Sequence, residues 1–263
     1  MGKKLVMDSA PLVSVLMNCF NGEKYLREAI DSIINQTYKN WEIIFIDNCS
    51  IDNSAEIAES YKDERIKYYR TRKNIPLYAA RNIAIDKCNG EYIGFLDCDD
   101  IWLEDKLEKQ IVLAMDGHDI VFGRYHTFGL NYKVPLKPVT NFDKFSEICT
   151  TNDLFKSNPI SIGCVLIKNS VLRKYRFNPY YQLLGDYDLW VRLSMGHSIT
   201  LLNEVVEYSR QHENNTSDLL LGRWLKERRF FYRSHLSVSS LFKYPALFVY
   251  ILKTEIKGIS GSK

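Results

Sequence analysis

Short apolar runs alternate with amphipathic stretches through the first hundred residues. Leu12 to Met17 (LVSVLM) is nearly all apolar with β-branched members, the pattern of a strand covered on both faces. From Glu23 to Gln36 the apolar positions become Tyr25, Leu26, Ala29, Ile30, Ile33 and Ile34, a stripe spaced for a helix lying on a sheet. The alternation continues with strand 41–46 (WEIIFI), helix 54–61, strand 66–70, helix 77–87 and strand 91–96 (EYIGFL). Strands joined by helices in this way predict right-handed βαβ units and a largely parallel, doubly wound sheet. Ligands of such sheets bind beyond the carboxyl ends of the strands.

After Gly123 the regularity fades into a Pro-, Lys- and Tyr-containing stretch to about Thr140, read as a β-rich or loop insertion. It resumes with a strand at 162–167 and a helix from Asp186 or Tyr187 to Met195, carrying Tyr187, Trp190, Val191 and Ser194 on one face. There is no internal repeat.

The composition, 46% hydrophobic and 25% charged over 263 residues, is that of a globular α/β chain, one large domain with an appendage. Charge divides it: residues 1–218 hold 26 basic against 30 acidic side chains, and residues 219–263 hold 9 against 2. We therefore expect a main domain at 1–218 and a basic tail at 219–263. The main domain has no basic excess for a polynucleotide, so no nucleic-acid partner is expected. The six cysteines form no C-x-x-C pair, and no apolar run is long enough for a signal peptide core or a bilayer span. A cytoplasmic location is the expectation.

The candidate chemistry lies where predicted strands end. Asp47 closes the second strand and could accept a hydrogen bond from a ring N–H such as uracil N3–H; Asp52 or Asn53 reads as the cap of the next helix. Asp97-Cys98-Asp99-Asp100 follows EYIGFL, and carboxylates this close raise one another's pKa unless a cation lies among them. Hard oxygen ligands without a His/Cys cluster favour Mg²⁺ or Mn²⁺, which bridges to substrate phosphates and so implies a nucleoside diphosphate. Asp100 reads as a helix cap before Leu103.

The segments VSVLMNCFNGEKYLREAIDSIINQTYKNWEIIFIDNCSIDNS (13–54), AARNIAIDKCNGEYIGFLDCDD (79–100) and GDYDLWVRLS (185–194) together resemble the inverting family 2 glycosyltransferases of the GT-A fold. The resemblance implies a mostly parallel sheet with a Rossmann-like nucleotide-binding half and a C-terminal helical extension. It implies that Asp47 binds uracil, that Asp97 contacts ribose and metal-linked groups, and that Asp99 ligates the metal. Asn18 and Asn21 would border the base, and Arg81 would lie near the nucleotide or else be an ion-paired arginine. Asp186 would be the catalytic base, and His212 would reach the diphosphate or metal. Trp190 and Asp188 read as structural. Two positions depart from the family pattern: Gly185 stands where Glu is usual before the base, and Asn48 where a second Asp follows Asp47.

The implied reaction moves a sugar from a UDP-linked donor to a hydroxyl of a glycan or lipid-linked saccharide, in cell-surface polysaccharide synthesis. A nucleotidyltransferase would need a glycine-rich basic loop that Asn18-Cys19-Phe20-Asn21-Gly22 does not provide, and a binding module would not need Asp186. In the tail, basic residues interleave with aromatics from Trp224 to Arg233 and again around Pro245. This reads as amphipathic helices broken near Pro245 that lie on the inner face of the membrane, or else pack on the catalytic domain or on another copy in an oligomer.

Overall fold

Every residue of β1 (Val13–Cys19) is buried, the polar ones included. Val13, Val15 and Met17 join the apolar cluster on one side of the sheet and Leu16 joins the cluster on the other. β2 (Trp41–Asp47) divides in the same way, Ile43 and Phe45 to one side, Ile44 and Ile46 to the other. Strands with both faces covered can be apolar throughout, which is why their sequence shows runs instead of alternation.

This computed structural model describes residues 10–129, 147–213, 223–235, 243, 244 and 246, and the backbone of 132–138, 221 and 222. The helices are α1 (Leu26–Ile34), α2 (Ser54–Ser60), α3 (Leu77–Lys87), α4 (Lys106–Met115), α5 (Thr151–Lys156), α6 (Asn169–Leu172), α7 (Gly185–Ser194) and α8 (Leu221–Ser234). The remaining strands are β3 (Ile66–Arg70), β4 (Tyr92–Phe95), β5 (Ile101–Trp102), β6 (Ile120–Gly129), β7 (Tyr132–Pro138), β8 (Ile148–Cys149), β9 (Val165–Lys168) and β10 (Ile199–Arg210). The sheet runs β3-β2-β1-β4-β9-β6-β10-β5, with β7 beside β6 and β8 beside β10. β3, β2, β1 and β4 are mutually parallel, as the alternation predicts. The fold is α/β of the GT-A type, and the crossover order reverses between β1 and β4, the switch point beyond which ligands of such sheets bind.

The stretch after Gly123 is β-rich, one of its two expected forms, while the limits of one expected strand change and another strand is absent from the sequence reading. β6 runs unbroken through Gly123, where the pattern had faded, because Gly123 leaves room for Val206: a Cβ there would lie 2.5 Å from a Val206 methyl. The strand expected at 162–167 begins only at Val165, after a 3₁₀ turn at Ile162–Cys164 in which Gly163 lies against the Glu207 carboxylate. β10, the long partner of β6, had no counterpart in the sequence reading; its alternation is broken by register shifts between Leu201 and Glu207.

The first helix of the basic tail joins the core. In α8, Phe231 is 0% exposed and stacks on Tyr187 at 4.5 Å, while Tyr232, Tyr244 and Ala246 belong to the same cluster. Packing on the catalytic domain, one of the three expected fates of the tail, is therefore seen for this helix. The expected break at Pro245 lies outside the described residues.

Candidate active site

Three neighbouring parallel strands end together. The register pairs Asn18 with Ile46 and Cys19 with Asp47, and the N–H of Leu96, one residue before Asp97, bonds the carbonyl of Leu16 at 3.0 Å. Asn18 is 7% exposed, and neither its Oδ1 nor its Nδ2 has a hydrogen-bond partner. A buried amide left unpaired is costly, so this orphan at a strand end points to a ligand.

The other residues expected at the base are engaged with one another. Asn21, at φ 55°, accepts the Ile51 N–H at 2.9 Å and its own N–H donates to Ser50 Oγ at 3.0 Å, bracing the two loops. Asp47 is fully buried; its carboxylate accepts the Ser50 N–H and the Tyr68 hydroxyl, both at 2.7 Å, with Arg70 Nε at 3.5 Å. Asn48 donates to the Ile75 carbonyl at 2.7 Å and accepts the Ile75 N–H at 3.0 Å. An aspartate has no donor for the first of these bonds, which accounts for the departure from an Asp pair. Of the two expected caps, Asn53 holds the N-cap position of α2 without a side-chain cap bond, while Asp52 just before it accepts the Ser54 N–H at 3.0 Å.

Around the acidic tetrapeptide, Asp97 pairs with Arg81 Nη2 at 2.6 Å, and Arg81 is 3% exposed on the inner face of α3. The ion-paired alternative for Arg81 is thus realised, with a partner from the acidic motif itself. His212 Nε2 meets Asp99 Oδ2 at 2.9 Å. Burial first, and then Asp97, push the Asp99 carboxyl above its ordinary pKa, with His212 opposing. Gly22 is required here: a Cβ would lie 2.8 Å from the Sγ atoms of both Cys19 and Cys98.

Asp100 is not a helix cap. β5 intervenes, α4 begins only at Lys106, and Asp100 instead accepts the Arg210 N–H of β10 at 2.7 Å. Burial, and then Glu207, hold the Asp100 carboxyl well above the carboxylate range, and burial raises Glu207 too. The Asp100 carboxyl thus ties the acidic loop to β10. Glu207 escaped the sequence reading because β10 did.

Asp186 is the second residue of α7. One of its oxygens accepts the Tyr187 N–H at 2.7 Å, with the Tyr78 hydroxyl at 3.5 Å. Burial raises its pKa and the Arg81 charge opposes, so one guanidinium acts on both Asp97 and Asp186. A Cβ at Gly185 would lie 2.5 to 2.6 Å from the Tyr78 ring, so the family's glutamate cannot stand here while that ring does. Tyr78 is a neighbour the sequence reading missed, although it lies three residues before Arg81 on the same helix face. Asp188 is buried and pairs with Arg192 at 2.8 Å, and Trp190 is fully buried, both structural as expected.

Among the described residues no group of three or more His, Cys, Asp or Glu side chains is placed to hold a metal ion. Asp99 meets His212 at 2.9 Å, and Asp97 acts on Asp99 electrostatically from two residues away. The chemistry of the Asp97 and Asp99 carboxylates alone fits Mg²⁺ or Mn²⁺, which needs one or two protein carboxylates and takes waters and substrate phosphates as its other ligands; the raised Asp99 carboxyl is the one a cation would relieve.

The glycosyl transferase family 2 model matches residues 14–176. A putative teichuronic acid biosynthesis glycosyltransferase, TuaG of Bacillus subtilis (strain 168), is 31% identical over 232 residues, which is 85% of this chain and 88% of that protein. The UDP-Glc:alpha-D-GlcNAc-diphosphoundecaprenol beta-1,3-glucosyltransferase WfgD of Escherichia coli is 32% identical over 196 residues, 73% of each chain. The solved structure of the mannosyltransferase PcManGT from Pyrobaculum calidifontis, in complex with GDP-Man and Mn²⁺, shares the fold at a TM-score of 0.70 and 16% identity, covering 98% of this chain and 77% of that one. With the strand ends, the acidic loop and α7 arranged as described, the chain belongs to glycosyl transferase family 2.

Proposed function

We propose that this glycosyltransferase moves a sugar from a UDP-linked donor to a hydroxyl of a glycan or lipid-linked saccharide, with inversion, in the synthesis of a cell-surface polysaccharide. The observation that carries this reading is the Arg81 guanidinium, which bonds Asp97 at 2.6 Å and acts electrostatically on Asp186. It couples the side chain expected at the nucleotide to the one expected at the acceptor. The names of WfgD and TuaG, with a UDP-sugar donor, a lipid diphosphate acceptor and a surface polymer, support the substrate class.

In this mechanism Asp186 accepts the proton of the acceptor hydroxyl. The hydroxyl oxygen bonds to the anomeric carbon from one side as the bond to the diphosphate oxygen breaks on the other, and the electron pair leaves with the diphosphate. One displacement inverts the centre. Asn18 meets the nucleotide with its unpaired amide, while Asn21 and Asp47 shape the loops around the base, and Asp97 and Arg81 line the diphosphate side. Asp99, with Asp97 and His212, would hold Mg²⁺ or Mn²⁺, which when bound supplies positive charge to the departing diphosphate.

The reading is tested by mixing the protein with UDP-glucose, UDP-N-acetylglucosamine and GDP-mannose, with Mn²⁺ or with chelator, and measuring nucleoside diphosphate release. Metal-dependent release of UDP is expected; release of GDP alone would overturn the uracil assignment, and no release from any donor would overturn transfer. A finer check is Asn18→Leu. Replacing an unpaired buried amide by a similar-sized apolar group should leave the ligand-free fold as stable or more stable, by about 1 kcal/mol. UDP affinity should fall about tenfold, the loss of roughly 1.4 kcal/mol. Thermal melts with and without UDP separate the two effects, and unchanged affinity would remove Asn18 from the site.

We also propose that α8 rests on an anionic membrane surface at the cytoplasmic face. Lys226, Arg229 and Arg233 line a shallow depression with Phe230, and Leu225 is 44% exposed beside them. No described helix is long and apolar enough to cross a membrane. The protein should sediment with liposomes containing phosphatidylglycerol and not with neutral ones, and Lys226→Glu with Arg233→Glu should abolish the difference. Equal recovery from both lipid types would refute surface binding.

A further inference from the structure

Glu227 of α8 is 1% exposed. Its Oε1 accepts the Gln182 N–H at 2.7 Å, and its Oε2 accepts the N–H groups of Leu183 at 2.9 Å and Leu184 at 3.1 Å. Arg223 Nε, one turn earlier on the helix, donates to Oε1 at 2.9 Å. A buried carboxylate is tolerated only when such charge-assisted bonds satisfy it. Three successive amides turned towards one anion form a backbone nest, and here the anion is built into the chain.

The three amides belong to the residues that lead directly into α7, whose second residue is Asp186. The same strap is held from its other side, where the Tyr78 hydroxyl donates to the Leu183 carbonyl at 3.2 Å. Asp186 itself is held lightly, by one N–H of its own turn and a hydroxyl at 3.5 Å. The direction of its carboxylate is therefore set by the backbone that carries it. Helix α8 cannot swing away freely, because Phe231 stacks on Tyr187 at 4.5 Å and Phe230 packs at a tilt against Tyr180 at 4.2 Å.

We propose that Glu227 is a positioning residue for sugar transfer: through the amides of Gln182, Leu183 and Leu184 its carboxylate fixes the start of α7 and so aims Asp186 at the acceptor. Helix α8 is then a working part of the transferase site and not an appended tail. This inference rests on Asp186 being the base.

The test uses the full chain with Glu227→Gln, which keeps size and turns an NH₂ group towards the backbone donors. Three readouts are taken: hydrogen exchange of the peptide covering 180–187, UDP–Mn²⁺ affinity, and steady-state release of UDP from UDP-glucose and UDP-N-acetylglucosamine. Expected are faster exchange in that peptide and a kcat lower by about tenfold to a hundredfold, with donor KM and UDP affinity unchanged. Glu227→Asp, which keeps the charge with a shorter reach, should recover part of the loss, and it serves as the test variant if Glu227→Gln does not fold. An unchanged kcat, or a kcat that falls together with UDP affinity, would overturn the inference. Asp186→Asn in parallel separates the two layers: if that variant turns over normally the base assignment fails, whereas if it is inactive and Glu227→Gln is normal, only the role of Glu227 fails.

Discussion

Asp186→Asn should lower sugar transfer by a factor on the order of 10² to 10⁴, the range a positioned general base supplies, while UDP–Mn²⁺ binding stays intact. The substitution preserves shape, and the Tyr187 N–H that bonds Asp186 at 2.7 Å still finds an acceptor. What is lost is the capacity to take a proton. Because burial raises the Asp186 pKa, the wild-type rate should begin to fall at a higher pH than an ordinary aspartate would dictate, as acid protonates the base. Stability should move the other way. A group whose folded pKa is raised favours folding fully below its unfolded pKa, and that contribution is lost as pH rises through the folded value. At neutral pH wild type therefore carries an ionised buried carboxylate that the amide variant lacks. Asp186→Asn should melt higher than wild type at neutral pH, with the gap closing in acid. A variant that loses activity while gaining thermal stability is hard to explain as misfolding. Retained transfer with normal pH dependence would dismiss Asp186 as the base, and inactivity with unchanged UDP binding would dismiss a purely ligand-binding role for the protein.

What could be read in the sequence follows from how local the cause is. β3 and α3 lie where periodicity puts them, and β1, β2 and β4 differ from their expected limits by a residue or two, because a buried strand or a helix on a sheet writes its burial into consecutive positions. Asp47 and Asp97 are legible from strand ends, and Asn18 joins them only through the family resemblance. β10 was illegible because its polar interruption, Asn203-Glu204, is a register irregularity explained only by its partner β6. Asp100 was misread for the same reason: a cap is a local device, whereas its actual partner is the Arg210 N–H on β10. Glu227 lay inside a stretch whose net charge is strongly basic, and that average concealed an acidic residue that bonds the main domain. Charge counted along a segment describes its solvated face; it does not show which side chain turns inward.

Asp99→Ala and Asp97→Ala should fail in different ways, and that difference is the sharpest check on the metal assignment. Asp99 is about a third exposed and meets His212 at 2.9 Å, and its carboxyl is raised by burial and by Asp97. Removing it relieves repulsion in the ligand-free protein, so the apo melting temperature should not fall. What should vanish is the stabilisation that UDP gives only with Mn²⁺, about 2.7 kcal/mol at a hundredfold excess over Kd, or roughly 5–10 °C for a chain of this size. Transfer should drop on the order of 10² to 10³, as when a group stabilising developing charge is removed. Asp97→Ala, by contrast, strips the 2.6 Å partner from Arg81, which is 3% exposed. An uncompensated buried charge costs about 3–5 kcal/mol, so this variant should melt lower even without ligand. Arg81→Met added to Asp97→Ala should restore much of that stability without restoring transfer. If Asp99→Ala keeps its metal-dependent response to UDP, or if both aspartate variants lose apo stability alike, Asp99 is a structural residue and the cation is held elsewhere.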